Sequence, residues 1–263
     1  MAARTVSLAA GLVFVVASVG CRATAPVAPR QAPATPPATA APVAVPATPR
    51  PAVQPGLPDS LRWVADAAEY HAVLLQAYRA ATARVEQEAA ARAPGTWAVV
   101  LDADETVISN LEYQLERARA GLPFTPESWR EWVAGRRASP LPGAARFLAR
   151  TRQLGGRIAI VTNRLGSECP DTEAVFKAHA LAYDVMLCRP DDGPSDKNPR
   201  FEAVAQGTTP AGLPPLDVVA FVGDNILDFP RMRQAARQQG EAAFTEFGVR
   251  FFVVPNPMYG SWQ

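Results

Sequence analysis

Histidine and lysine are nearly missing from this chain of 263 residues. His71 and His179 are its two histidines, and among 26 basic side chains only Lys177 and Lys197 are lysines. Neither histidine has a second ligand at a metal spacing, which argues against a histidine-based zinc centre and leaves the three cysteines outside any metal motif. A formal charge of +1 gives no basic field for a nucleic-acid polymer and no acidic tail. No apolar run reaches the roughly 20 residues that a bilayer crossing needs. With lysine so scarce, the position of each one carries information.

What is present is unevenly spread. Eleven of the 26 prolines fall between Arg22 and Pro58. Residues 1–58 hold four arginines and no acid, a charge of +4, while residues 59–263 hold 22 basic and 25 acidic side chains, a charge of −3. Arg4 precedes an uncharged run from Thr5 to Cys21 centred on Leu12–Val16, the pattern of a secretory signal peptide over residues 1–20. The run ends Ser18-Val19-Gly20-Cys21, which resembles the processing box of bacterial lipoproteins, with Ser18 where an apolar residue is usual. That resemblance implies a lipid on Cys21 and a membrane partner. Arg22 in place of a retaining aspartate implies the outer membrane, at its periplasmic or surface face. Plain cleavage that leaves Cys21 unmodified stays open. Residues 21–58, rich in Pro and Ala and without acids or aromatics, read as a disordered tether, because they bury too little to offset ordering entropy.

From Asp59 the pattern is that of one domain, 59–263, about 205 residues long. Asp59 or Ser60 can cap an expected helix running with few breaks to about Arg92, stopped by Pro94-Gly95, with an apolar stripe through Trp63, Tyr70, Leu74, Tyr78 and Val85. Short apolar runs follow at Trp97–Leu101, Arg157–Val161, Tyr183–Leu187, Val218–Val222 and Val249–Val254. Helical patterns separate them near Gly143–Leu154, Thr172–Ala180, Pro199–Gln206 and Phe229–Gln239. Continuous apolar strands alternating with helices predict an α/β fold, a parallel sheet with helices on both faces. Ligands in such sheets sit at the carboxyl ends of the strands.

Those ends carry the chemistry. Asp102-Ala103-Asp104-Glu105-Thr106 follows the first run, Thr162-Asn163-Arg164 the second, Lys197 the third, and Gly223-Asp224-Asn225 with Asp228 the fourth. Each residue alone is an ordinary cap or turn former; convergence from four strand ends is not. A rigidly held Asp102 carboxylate can attack phosphorus and form an acyl phosphate, and Asp104 can protonate the leaving oxygen. Clustered carboxylates beside a phosphate require cations. Lys197 supplies one, and the oxygen ligands suit Mg²⁺ as the cofactor. Thr162, with nearby backbone N–H groups, can bind phosphoryl oxygens.

The stretch Ala98–Asn110 looks like the first signature of the haloacid dehalogenase (HAD) superfamily. Ile160–Arg164 matches the second, Lys197 before Arg200-Phe201 the third, and Gly223–Phe229 the fourth. More narrowly, Tyr113, Glu127–Val133, Leu141–Ala144 and Pro255–Trp262 resemble class C acid phosphatases, bacterial lipoproteins of the e(P4) 5′-nucleotidase type. The likeness covers 95–263. It implies a Rossmann-like HAD fold with a small helical cap at about 111–137, and hydrolysis of phosphomonoesters, nucleoside 5′-monophosphates among them, through an aspartyl phosphate. Asp102 would be the nucleophile and Asp104 the acid/base. Asp102, Asp104 (by its carbonyl), Asp224 and Asp228 would hold Mg²⁺. Thr162, Asn163 and Lys197 would bind phosphate, and Trp129, Trp132 and Tyr259 are candidates to stack a nucleobase.

Two departures stand out. Ala103 replaces the usual leucine or isoleucine, and Glu168-Cys169-Pro170-Asp171 replaces a polar loop. Cys169 and Cys188 fall near the same rim, so a disulfide between them is one of two outcomes the sequence leaves open. The shortage of histidine excludes the histidine acid phosphatases. Two other readings remain at this point: a phosphotransferase using the same intermediate, and a non-catalytic tethered domain of the same fold.

Overall fold

The computed structural model describes residues 56–263. The expected signal peptide, Cys21 and all but the last three residues of the expected tether lie outside the described residues. The strands are β1 (Trp97–Leu101), β2 (Ile108–Ser109), β3 (Ser139–Pro140), β4 (Arg157–Leu165), β5 (Val185–Arg189), β6 (Asp217–Gly223) and β7 (Phe251–Val253). The helices are α1 (Asp59–Asp66), α2 (Ala68–Ala89), α3 (Leu111–Arg119), α4 (Pro126–Ala134), α5 (Ala144–Gln153), α6 (Cys169–Ala178) and α7 (Asn198–Gln206).

β1 is buried along its whole length because it occupies the middle of a five-stranded parallel sheet, in the order β5-β4-β1-β6-β7. Its alternation feeds two cores, since successive side chains point to opposite faces. Trp97, Val99 and Leu101 join Leu74, Tyr78 and Val85 of α2 and Phe147 and Leu148 of α5 on one face. Ala98 and Val100 join Phe201 and Val204 of α7 with Phe221, Phe229 and Phe251 on the other. Helices therefore cover both faces, as the continuous apolar strands require. The strand order reverses at β1, so the crevice beyond the ends of β1, β4 and β6 is where a doubly wound sheet places its ligand.

Between β1 and α5, in the stretch expected as a cap, lie α3 and α4, flanked by β2 and β3, which pair in a two-residue antiparallel ladder. α4 starts where Thr125 accepts the Ser128 N–H at 3.2 Å, with Pro126 in the first turn.

The first helical stretch, expected with few breaks to about Arg92, breaks at Ala67, which is extended (φ −86°, ψ 128°), and α2 ends at Ala89. No breaker residue stands there; the turn lets Trp63 pack edge-on against Tyr70 (5.4 Å) while Leu61 and Val64 are buried on α1, which packs against α3. One expectation is corrected: Phe229–Gln239 forms no α-helix. Pro230 lacks an N–H, Phe229 is extended and Arg231 has φ 61°, so only a short 3₁₀ turn at Gln234–Gln238 forms. No described helix is long and apolar enough to cross a membrane.

Candidate active site

Asp102 follows β1 directly, its N–H bonded to the Val222 carbonyl of β6 at 3.0 Å, so the neighbouring strand fixes its backbone. The chain then turns sharply. Val107 and Ile108 N–H groups both return to the Ala103 carbonyl at 2.9 Å, and Glu105 takes φ 51°, an uncommon conformation for a residue with a side chain. Ala103 is fully buried in this turn. At the end of β6, a Cβ on Gly223 would lie 2.3 Å from the Cβ of Asp228, so only glycine allows Asp228 to fold back over the strand.

This brings Asp102, Asp224 and Asp228 together, with one oxygen from each within 4.8 Å of the others. Lys197 reaches them from the start of α7. Its Nζ donates to Asp102 Oδ1 at 2.5 Å and Asp228 Oδ1 at 2.6 Å. Lys177, by contrast, is exposed on α6. Burial pulls the Lys197 ammonium down, but the Asp102 and Asp228 carboxylates outweigh it and hold it above the ordinary lysine range. Burial pushes Asp102 up to about 7, opposed by Lys197 and assisted by Asp228 and Asp104. Asp224 is raised well above the carboxylate range by burial and then by Asp228 and Asp102.

Three carboxylates facing one ammonium leave a surplus of two negative charges when all are ionised. Hard oxygen donors with that surplus fit a divalent cation, and Asp102, Asp224 and Asp228 are the residues that would hold it. Asp224 is already oriented: Thr106 Oγ1 donates to its Oδ1 at 3.2 Å and Asn256 Nδ2 to its Oδ2 at 2.8 Å. The side chain of Asp104 lies outside this trio.

Asp104 instead faces Arg164 and Asn110, which donate to it at 2.8 and 2.7 Å. Asp102, Asp104, Arg164, Lys197, Asp224 and Asp228 line one cavity of about 600 Å³, together with Asn163, Phe124, Trp129, Met258 and Tyr259. Asn163 is held there by Arg200, which donates to its Oδ1 at 2.6 Å and also to the Thr162 carbonyl. Thr162 ends up fully buried behind the wall, its hydroxyl accepting the Arg164 N–H at 3.1 Å.

The stacking candidates separate. Trp129 and Tyr259 reach the cavity. Trp132 does not: it is 4% exposed, and its indole N–H is spent on Asn110 Oδ1 at 2.8 Å, so a stacking role for it is corrected to a core one. Phe124, on the loop before α4, lines the cavity in its place; it lies outside the apolar runs that mark strands and helices in the sequence. Glu105, Asn110, Arg164 and Asn256 were likewise given no role by sequence reasoning. Glu105 is fully buried, accepts the Asn110 N–H at 2.7 Å, and accepts the Tyr259 hydroxyl. Burial, then Asp104, raises its carboxyl to about 7, against the hydrogen bonds from Tyr259 and Asn110. Cys169 and Cys188 are joined by a disulfide, which closes the alternative left open by the sequence and ties α6 to β5.

Residues 35–262 match the family described as HAD superfamily, subfamily IIIB (acid phosphatase). The fold is similar to the class C acid phosphatase from Bacillus anthracis, at 28% identity and a TM-score of 0.68, over 77% of this chain and 84% of that one. A second structure of that enzyme, with tungstate bound, matches at 27% identity and a TM-score of 0.67 over the same shares.

Proposed function

We propose that this chain, which belongs to subfamily IIIB of the HAD superfamily and is a phosphomonoesterase, is an exported enzyme that hydrolyses nucleoside 5′-monophosphates through a phosphoryl group carried on Asp102. The observation that carries the reading is the convergence of Asp102, Asp224, Asp228 and Lys197 on one cavity, with Asp104 beside them.

In this reading Asp102, Asp224 and Asp228, with the Asp104 carbonyl, would hold Mg²⁺, which would supply positive charge against the phosphate and keep Asp102 ionised. Lys197 offsets further charge on the phosphoryl oxygens, and Asn163 and the Thr162 segment bind them. An Asp102 oxygen attacks phosphorus, the bond to the ester oxygen breaks, and the departing oxygen keeps that bond's electron pair and takes a proton from Asp104. Asp104, now a carboxylate, then takes a proton from water while the water oxygen attacks phosphorus. The Asp102 carboxylate leaves, inorganic phosphate is released, and Asp104 is again protonated.

Several features support the finer reading. The cavity has the size of a small-molecule site, and Phe124, Trp129 and Tyr259 offer aromatic surface to a base. Tungstate in the related enzyme is a tetrahedral oxyanion, as phosphate is. A disulfide fits an oxidising compartment, in line with a signal peptide and a lipid on Cys21.

The test is phosphate release from adenosine 5′-monophosphate and from ribose 5-phosphate by the full-length chain, with and without chelator. Turnover requires Mg²⁺, favours the nucleotide, and falls by at least about 10³-fold in Asp102→Asn. Undiminished turnover in chelator or in Asp102→Asn contradicts the mechanism; equal kcat/KM for the two substrates contradicts the nucleotide preference.

A further inference from the structure

Arg164 stands at the cavity wall, yet its side chain is only 1% exposed, and its donors are turned toward other protein groups. Nε lies 3.0 and 3.1 Å from the two Asp104 oxygens, and Nη2 lies 2.8 Å from Oδ1. Behind this fork the guanidinium is itself pinned. Nη2 donates to Asn110 Oδ1 at 3.1 Å, and Nη1 donates to Thr172 Oγ1 at 3.1 Å, a hydroxyl that in turn bonds the Glu168 carbonyl. Trp129 of α4 covers the group, 5.3 Å from ring centroid to Cζ.

The consequence falls on Asp104. A free aspartate rotates broadly about its terminal torsion. Here Oδ1 takes N–H groups from Arg164 Nε, Arg164 Nη2 and Asn110 Nδ2, while Oδ2 has one contact, at 3.1 Å, among the described residues. The plane of the carboxyl is therefore set from behind, and Oδ2 is the oxygen left for the reacting ester. A planar fork does this; a lysine ammonium does not. Burying a guanidinium among so many partners contributes little net stability, so its return is geometric.

We propose that Arg164 is a positioning residue for proton transfer by Asp104, holding Oδ2 toward the leaving oxygen. The inference rests on the acid/base assignment of Asp104 made above. It concerns the first half of the reaction only, in which the P–O bond to the leaving group breaks and that oxygen takes the Asp104 proton.

The experiment compares kcat/KM for two substrates in the full-length chain with Mg²⁺. One is 4-nitrophenyl phosphate, whose phenolate departs with little need of a proton; the other is an alkyl phosphate, whose alkoxide needs one. Because kcat/KM reports steps up to formation of the aspartyl phosphate, the shared hydrolysis step drops out. The ratio of the two values is also independent of how much of a variant is folded. Arg164→Met is expected to lower the alkyl-to-nitrophenyl ratio by about tenfold or more, part of the range general acid catalysis spans. Arg164→Lys, which keeps a cation in the pocket but no fork, should lower it as well, and decides the matter if the methionine variant folds poorly. An unchanged ratio in the Arg164 variants, with both substrates slowed alike, overturns the proposal and assigns Arg164 to packing or phosphate binding. Asp104→Asn separates the two levels of the argument. If it lowers the ratio while the Arg164 variants do not, only the present inference fails; if it slows both substrates alike, the assignment of Asp104 fails.

Discussion

Lys197 and the three carboxylates around it define the chemistry at the residue scale. Burial, with one ammonium facing Asp102, Asp224 and Asp228, favours the protonated carboxyls: Asp102 is pushed up to about 7, and Asp224 is raised as well. The sign of the pH dependence follows. A carboxyl whose folded pKa lies above its unfolded value of about 3.9 stabilises the fold less as pH rises from that value toward 7. Ligation requires the carboxylate, so protons compete with the cation below pH 7 and the competition ends above it. The rise in melting temperature produced by a fixed Mg²⁺ concentration should therefore grow from pH 5 to pH 7 and level off by pH 8. An equal rise at all pH values contradicts this account. Tyr259 and Glu105 lie one step further out, and their hydrogen bond joins the end of the chain to the turn after β1.

At the scale of elements, the segment after β7 acts as a strap. Asn256 bonds Asp224, Tyr259 bonds Glu105, and Ser261 Oγ bonds Asn225 Oδ1 at 2.6 Å, so the strap fastens to the loops after both β1 and β6. Removing one such outer partner of a metal ligand commonly costs about 10–100-fold in metal affinity. Asn256→Ala should weaken Mg²⁺ binding by that order, measured by calorimetry, while its secondary structure stays unchanged by circular dichroism. Undiminished affinity would show that Asn256 does not orient Asp224. The strap was visible in the sequence only as a likeness, because its contacts join residues such as Asn256 and Asp224 that lie 32 positions apart. The strands were legible for a physical reason: a strand buried on both faces has to be apolar throughout, so Trp97–Leu101 declared itself, and Asp102 after it. The helical spacing of Phe229–Gln239 misled, since Pro230 and the left-handed Arg231 outweigh it. Ala67, neither glycine nor proline, carries no local signal for the extended backbone found there. Trp132 had the right spacing for either core or site, and only its bond to Asn110 decides.

The whole molecule gathers these parts by topology. β1, β4 and β6 are adjacent in the sheet, so residues spread from Asp102 to Asp228 meet beyond one edge, and α3 and α4 of the expected cap stand over them. The near-neutral total charge conceals a basic, proline-rich first 58 residues and a mildly acidic remainder. Within that acidic part, three carboxylates are gathered where they could hold a cation. The central claim is that the phosphoryl group passes through Asp102. Mass spectrometry of peptides from an acid-quenched reaction with excess phosphomonoester tests it directly. The account predicts that the peptide bearing Asp102 gains one phosphoryl group, which disappears on chase with water and never forms in Asp102→Asn. A phosphoryl group on another residue, or turnover in Asp102→Asn matching the unaltered chain, would contradict it.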